Sequence, residues 1–72
     1  MIRKHSITLH GHRTSFSLEE PFWQELTVIA AARTMPLAAL VTEVDEARDP
    51  RTNLSSAIRL YVLAHLKAAA KS

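Results

Sequence analysis

Residues 13–23 read Arg13-Thr14-Ser15-Phe16-Ser17-Leu18-Glu19-Glu20-Pro21-Phe22-Trp23, and two periods meet inside them. The first half alternates: Phe16 and Leu18 share one parity, and Arg13, Ser15 and Ser17 share the other. Successive side chains of a strand point to opposite faces, so one face is apolar and the other small and polar. The second half changes period. Glu19 and Glu20 precede Pro21, and acidic residues followed by proline suit a first helical turn. Phe22, Trp23, Leu26, Ile29, Ala30 and Arg33 then recur at helical spacing. One short strand therefore feeds an amphipathic helix. A lone strand with an apolar face is not stable in water, so its partner is expected to come from a second copy of the chain.

Outward from this stretch, residues 1–12 read as a basic arm that is extended or a strand. Ile7 and Leu9 alternate there with Ser6, Thr8 and His10. The odd positions of Ile7 and Leu9 oppose the even positions of Phe16 and Leu18, so a continuous strand would split these residues between two faces. Gly11, the only glycine, lies between the two pairs and marks a bend, bulge or hinge. His5, His10 and His12 have no acidic or thiol companions here, so no metal and no cofactor is expected.

Downstream, the spacing predicts a helix over about 20–33 with an inner stripe of Phe22, Leu26, Ile29 and Ala30. Trp23 beside that stripe is read as core or subunit interface. Arg33-Thr34-Met35-Pro36 is a break. Thr34 is the expected N-cap and Pro36 the first turn of a second helix over about 36–48, with Leu37, Leu40, Val41, Val44 and Ala47 inward. Asp49-Pro50-Arg51 stops it. Thr52 or Asn53 caps a third helix over about 54–70. Leu54, Ala57, Ile58, Tyr61, Val62 and Leu66 give that helix one stripe, which Leu60, Leu63 and Ala64 widen nearly all round. A helix so apolar is covered on more than one side. The expected organisation is an arm over 1–12, a core over 13–49 and a helical extension over 50–72.

With 72 residues the chain makes one domain. So short a chain buries only about 60% of its unfolded surface, which favours dimerisation. Apolar residues make up 47%, too many for a disordered tail. There is no cysteine, which fits a reducing cytoplasm. The run from Leu60 to Ala70 is too short to span a membrane, and the basic start lacks the apolar core of a signal peptide. Net charge is +2, unevenly spread. Residues 1–18 carry Arg3, Lys4 and Arg13 and no acid, whereas 19–49 hold all seven acids against Arg33 and Arg48. Residues 50–72 carry Arg51, Arg59, Lys67 and Lys71 and again no acid. A basic strand and arm beside an acidic middle fits a face made for an anionic partner.

No Gly-rich loop, Gly-x-Ser-x-Gly elbow or His-Glu-x-x-His motif is present, and the chain is too small for a normal substrate cleft, so an enzyme is not expected. The polar strand face points elsewhere. A two-stranded antiparallel ribbon fits the major groove of DNA, where arginine pairs with guanine and serine donates or accepts. Arg13, Ser15 and Ser17 would enter together, Phe16 and Leu18 would face the helical core, and Arg3 and Lys4 would reach phosphates.

The order strand, helix, turn, helix resembles the ribbon-helix-helix family of bacterial DNA-binding proteins over about 13–48. The likeness is strongest to a variant with a third helix, on Arg3-Lys4-His5, His12 to Glu19, and Asn53 to Ala57. The resemblance implies a mainly α fold, with one short N-terminal strand, three helices and an intertwined homodimer joined by an intersubunit antiparallel ribbon. It also implies groove-facing side chains at Arg13, Ser15 and Ser17, and a phosphate held by backbone N–H groups at the second helix N-terminus, around Thr34 to Leu37. Two departures stand in that turn. Glycine is missing, and Pro36 removes a backbone donor, so Arg33 and the Thr34 hydroxyl are the expected substitutes. Phe16, Leu18, Trp23, Leu26 and Ile58 are the expected dimer core. The expected function is a cytoplasmic transcriptional regulator that binds double-stranded DNA as a homodimer or higher oligomer. The rival is an antitoxin-like or scaffold module whose apolar third helix docks a protein partner.

Overall fold

His10 and Gly11 set the course of the chain. Their φ values of 52° and 78° are both left-handed, the pairing that a two-residue type I′ turn requires. This turn folds the first nineteen residues into a hairpin. Strand β1 (Ile2–Leu9) runs antiparallel to β2 (His12–Glu19), in register from Leu9 opposite His12 to Ile2 opposite Glu19. The Glu20 N–H donates to the Met1 carbonyl at 3.0 Å and extends the ladder by one pair. The structure, a computed structural model, describes residues 1–71.

The expected order of strand, helix, turn and helices is present, with one strand more than expected: residues 2–9 of the same chain pair with residues 12–19. The physical reason is the parity that had suggested a bend. Across a two-residue turn an odd residue faces an even one, so Leu9, Ile7 and His5 lie on the same face as Phe16 and Leu18. That face is the inner one: Leu9, Phe16 and Leu18 are buried, and Ile7, His5 and Thr14 are half-buried.

Three helices cover it. Helix α1 (Glu20–Ala32) starts with Pro21 in its first turn and contributes Leu26, Ile29 and Ala30 to the core. It ends on Thr34 at φ 55°. The Thr34 N–H donates to the Ala31 carbonyl at 3.1 Å and the Met35 N–H to the Ala30 carbonyl at 2.9 Å, the bond pair of a Schellman ending. Thr34 therefore closes α1 rather than capping the next helix. Helix α2 (Leu37–Ala47) has Pro36 at its N-cap, without a side-chain cap bond, and the chain turns through 104° between α1 and α2. Leu40, Val41 and Val44 enter the core, whereas Ala47 is exposed.

Helix α3 (Leu54–Ala70) begins at Asn53, whose side chain accepts the Ser56 N–H at 2.8 Å. Ala57, Ile58 and Val62 are its buried residues. Leu60, Leu63 and Leu66 remain 61%, 49% and 43% exposed. At about 3.6 residues per turn they stand opposite the buried stripe, so α3 has a second apolar face that this chain leaves uncovered. The residues expected to form a dimer core serve inside one chain. Leu18, Leu26 and Ile58 are fully buried there, Phe16 is nearly so, and Trp23 packs against them half-buried.

Candidate nucleic-acid interface

Beyond the exposed Ile2 at its end, the outer face of the hairpin is polar and exposed on both strands. Arg13, Ser15 and Ser17 project from β2, and Thr8, Ser6 and Lys4 stand opposite them on β1. Ser6 Oγ and Ser15 Oγ lie 3.3 Å apart across the strands. Eight residues at roughly 3.4 Å each make a ribbon about 27 Å long. The structure thus brings the three expected base-facing residues together. Lys4, expected at phosphates, stands with them, as do Ser6 and Thr8, which had no expected role although their alternation with Ile7 and Leu9 carried the signal.

Helix α3 fixes one end of this face. In a two-residue hairpin the closing pair exchanges both ladder bonds, so the backbone groups of Arg13, Ser15 and Ser17 point away from β1. Ser55 Oγ donates to the Ser17 carbonyl on that outer edge at 2.6 Å. One turn on, Arg59 donates to both Glu19 carboxylate oxygens at 2.7 and 3.1 Å. The Arg59 guanidinium holds the Glu19 carboxyl below its usual range. The one acid on the outer face is thereby matched with a cation.

The expected backbone-contact residues are scattered. Arg3 and Lys4 part company, because neighbours on a strand face opposite ways. Lys4 lies on the outer face, and Arg3 turns to the other side, where its Nε is 3.7 Å from Glu20 Oε2. Arg33 donates to both Glu43 oxygens at 2.6 and 3.1 Å and to the Tyr61 hydroxyl at 3.0 Å. That contact raises the affinity of Arg33 for its proton and holds the Glu43 carboxyl below its usual range. In this arrangement Arg33 ties α1, α2 and α3 together. Thr34 is exposed in the turn and Leu37 is half-buried at the start of α2, so both belong to a different element from the ribbon.

His5 and His10 serve the frame. His5 stacks on Trp23 with ring centroids 3.6 Å apart and an interplanar angle of 6°, and its Nε2 is buried with no hydrogen-bond partner among the described residues. His10, at the hairpin tip, has its Nε2 3.8 Å from Asp45 and 3.9 Å from Glu46 of α2. No group of three or more His, Cys, Asp or Glu side chains among the described residues is arranged to hold a metal ion. No single helix among them is long and apolar enough to cross a membrane.

A hairpin with a polar outer face, backed by a helix, a turn and two more helices, defines a small ribbon-and-helix domain. The family model described as the ribbon-helix-helix domain matches residues 2–66. The chain belongs to the ribbon-helix-helix family, whose members are generally DNA-binding transcription regulators or antitoxins. No curated protein and no solved structure matches it.

Proposed function

We propose that this chain is a sequence-specific DNA-binding protein, a cytoplasmic transcriptional regulator that acts as a homodimer or higher homo-oligomer and has no enzymatic activity. The observation that carries the reading is the shared exposure of Arg13, Ser15 and Ser17 on one face of an antiparallel ribbon whose other face is the core. A ribbon of this kind enters the major groove, where Arg13 can make a bidentate contact to guanine and the two hydroxyls can donate or accept. Lys4, at the end of the outer face, and Arg3 beside it supply phosphate contacts. The Thr34 hydroxyl and the Leu37 N–H are the further backbone contacts. Arg33 joins them only by leaving Glu43 and Tyr61. A second copy is the proposed cover for the exposed leucines of α3.

Fluorescence anisotropy against duplex DNA over a salt series tests this reading. With about six phosphates neutralised per dimer, log affinity should fall against log salt with a slope of about −5. No binding to any duplex at low salt would refute it.

A second reading rests on Leu60, Leu63 and Leu66. An exposed leucine stripe marks a protein interaction site, so an antitoxin-like or scaffold module would dock its partner there. Light scattering at micromolar concentration separates the two. A dimer whose mass halves on Leu63→Glu assigns the stripe to a second copy. A monomer that still binds DNA leaves it to another protein.

A further inference from the structure

We infer that Arg59 of α3 is a positioning residue for DNA binding: it cancels the charge of Glu19, the one acid in the row of side chains that faces the groove. The inference rests on the DNA-binding reading above and deepens it. Residues 1–18 contain no acid, so Glu19 is the only carboxylate in the hairpin. It is the last residue of β2. It shares the odd parity of Arg13, Ser15 and Ser17 and so stands on the same outer face. Two residues of strand, about 7 Å, separate it from Ser17. At physiological salt, charges act on one another over about 8 Å, and a duplex carries one negative charge per roughly 1.7 Å of its axis. A bare carboxylate here repels any duplex seated on Ser17, whatever its sequence.

The remedy comes from a different element. Arg59 donates from Nε and Nη2 to the two Glu19 oxygens at 2.7 and 3.1 Å, a bidentate pair that fixes both side chains. Arg3 does not share the task, because it turns to the other side of the hairpin and lies 3.7 Å from Glu20. Ser55, one turn before Arg59, donates to the Ser17 carbonyl at 2.6 Å, so α3 has a second hold on the end of β2. The Arg59 and Glu19 side chains are each about one-third exposed. An ion pair this open to solvent adds little to stability, whereas the field of a lone carboxylate is felt by every phosphate within reach. Arg59 therefore acts on DNA through Glu19, without touching a base or a phosphate.

The test is fluorescence anisotropy on a preferred duplex, selected from a randomised pool, and on a scrambled one, at low and at high salt. Three variants are compared, each checked for folding by thermal melting. Arg59→Gln leaves Glu19 bare and should weaken both duplexes alike, by at least about fivefold at low salt. The loss should shrink at high salt. Arg59→Lys keeps the charge and should bind as wild type does. Glu19→Gln/Arg59→Gln removes both charges and should return to within about twofold of wild type. A phosphate contact or a purely structural role for Arg59 would not give that recovery. A double variant as weak as Arg59→Gln, or an Arg59→Gln that binds like wild type, overturns the inference and leaves the DNA reading standing. Where Arg59→Gln does not fold, the double variant decides alone, because an uncharged pair matches wild type only if Arg59 has no task beyond cancelling Glu19. If wild type binds no duplex at low salt, both readings fall.

Discussion

The two faces of the hairpin are built from the same sixteen residues and answer to different demands. The inner face holds Leu9, Phe16 and Leu18, all buried, and seals them with the His5–Trp23 stack. The outer face holds Lys4, Ser6, Thr8, Arg13, Ser15 and Ser17, all exposed. Removing atoms from the first opens a cavity inside the hydrophobic core. Removing atoms from the second costs the fold almost nothing and is felt only by whatever binds there. The position of a residue, odd or even, therefore sorts stability from recognition within a single supersecondary unit.

The sharpest test of that division lies on the inner face. Phe16→Ala should cost about 3–5 kcal/mol of stability, the usual range for truncating a buried phenylalanine. Urea unfolding followed by circular dichroism reads it directly, and a loss under about 1 kcal/mol would mean that Phe16 is not core. Arg13→Ala tests the outer face. It should leave the urea midpoint within error of wild type, yet cost about 1–3 kcal/mol of affinity for the preferred duplex and flatten the preference. Lys4→Gln should weaken all duplexes about equally and reduce the salt slope by about one. An outer-face substitution that melts the protein would break the comparison.

How much of this was readable beforehand follows the range of the interactions. The helices were legible because their signals are local: alternation gives way to helical spacing at Glu20, Pro50 stops α2, and Asn53 caps α3. The inner-face residues Phe16 and Leu18 were legible for the same reason. The hairpin was half legible. The parity switch between Leu9 and Phe16 is what a two-residue turn produces, but it equally fits a bend, and His10-Gly11 is not among the strongest turn dipeptides. The contacts that reach farthest left no pattern at all. Arg33 finds Glu43 and Tyr61, Ser55 finds Ser17, and Arg59 finds Glu19, across separations of 10 to 40 residues. Nor does periodicity tell which side of a nearly all-apolar helix will be covered, so the exposure of Leu60, Leu63 and Leu66 could not be read from α3 itself.

The turns at the ends of the hairpin and of α1 extend the comparison to the backbone. Both use left-handed φ, at Gly11 and at Thr34. A Cβ on Gly11 would meet nothing within 4 Å, so any cost of Gly11→Ala is conformational. It should destabilise by about 1 kcal/mol. Thr34 already bears that cost with a β-branched side chain in a position that favours glycine. Thr34→Gly should therefore stabilise by about 1 kcal/mol, read as a higher melting temperature. If the Thr34 hydroxyl contacts a phosphate, the same variant loses DNA affinity while gaining stability. Equal affinity at higher stability would remove Thr34 from the interface.

The smallest expected effect comes from two ion pairs, one bracing α3 against the ribbon and one bracing α1 against α2. Arg59 holds Glu19 and Arg33 holds Glu43 below the usual carboxylate range, chiefly through direct hydrogen bonds. A carboxyl whose folded pKa lies below its unfolded one stabilises the fold at pH values above the unfolded pKa, about 4.3 for glutamate. That contribution is lost as pH falls from there through the folded value, because the native state must then take up protons it resists. Both pairs are open to solvent, so the effect is small and weakens with salt. Unfolding at a series of pH values from neutral to about 3 should show wild-type stability falling on the acid side with a steeper slope than Glu19→Gln/Glu43→Gln, which cannot protonate at either position. Parallel acid slopes for the two proteins would show that the contacts exist without linking protonation to folding.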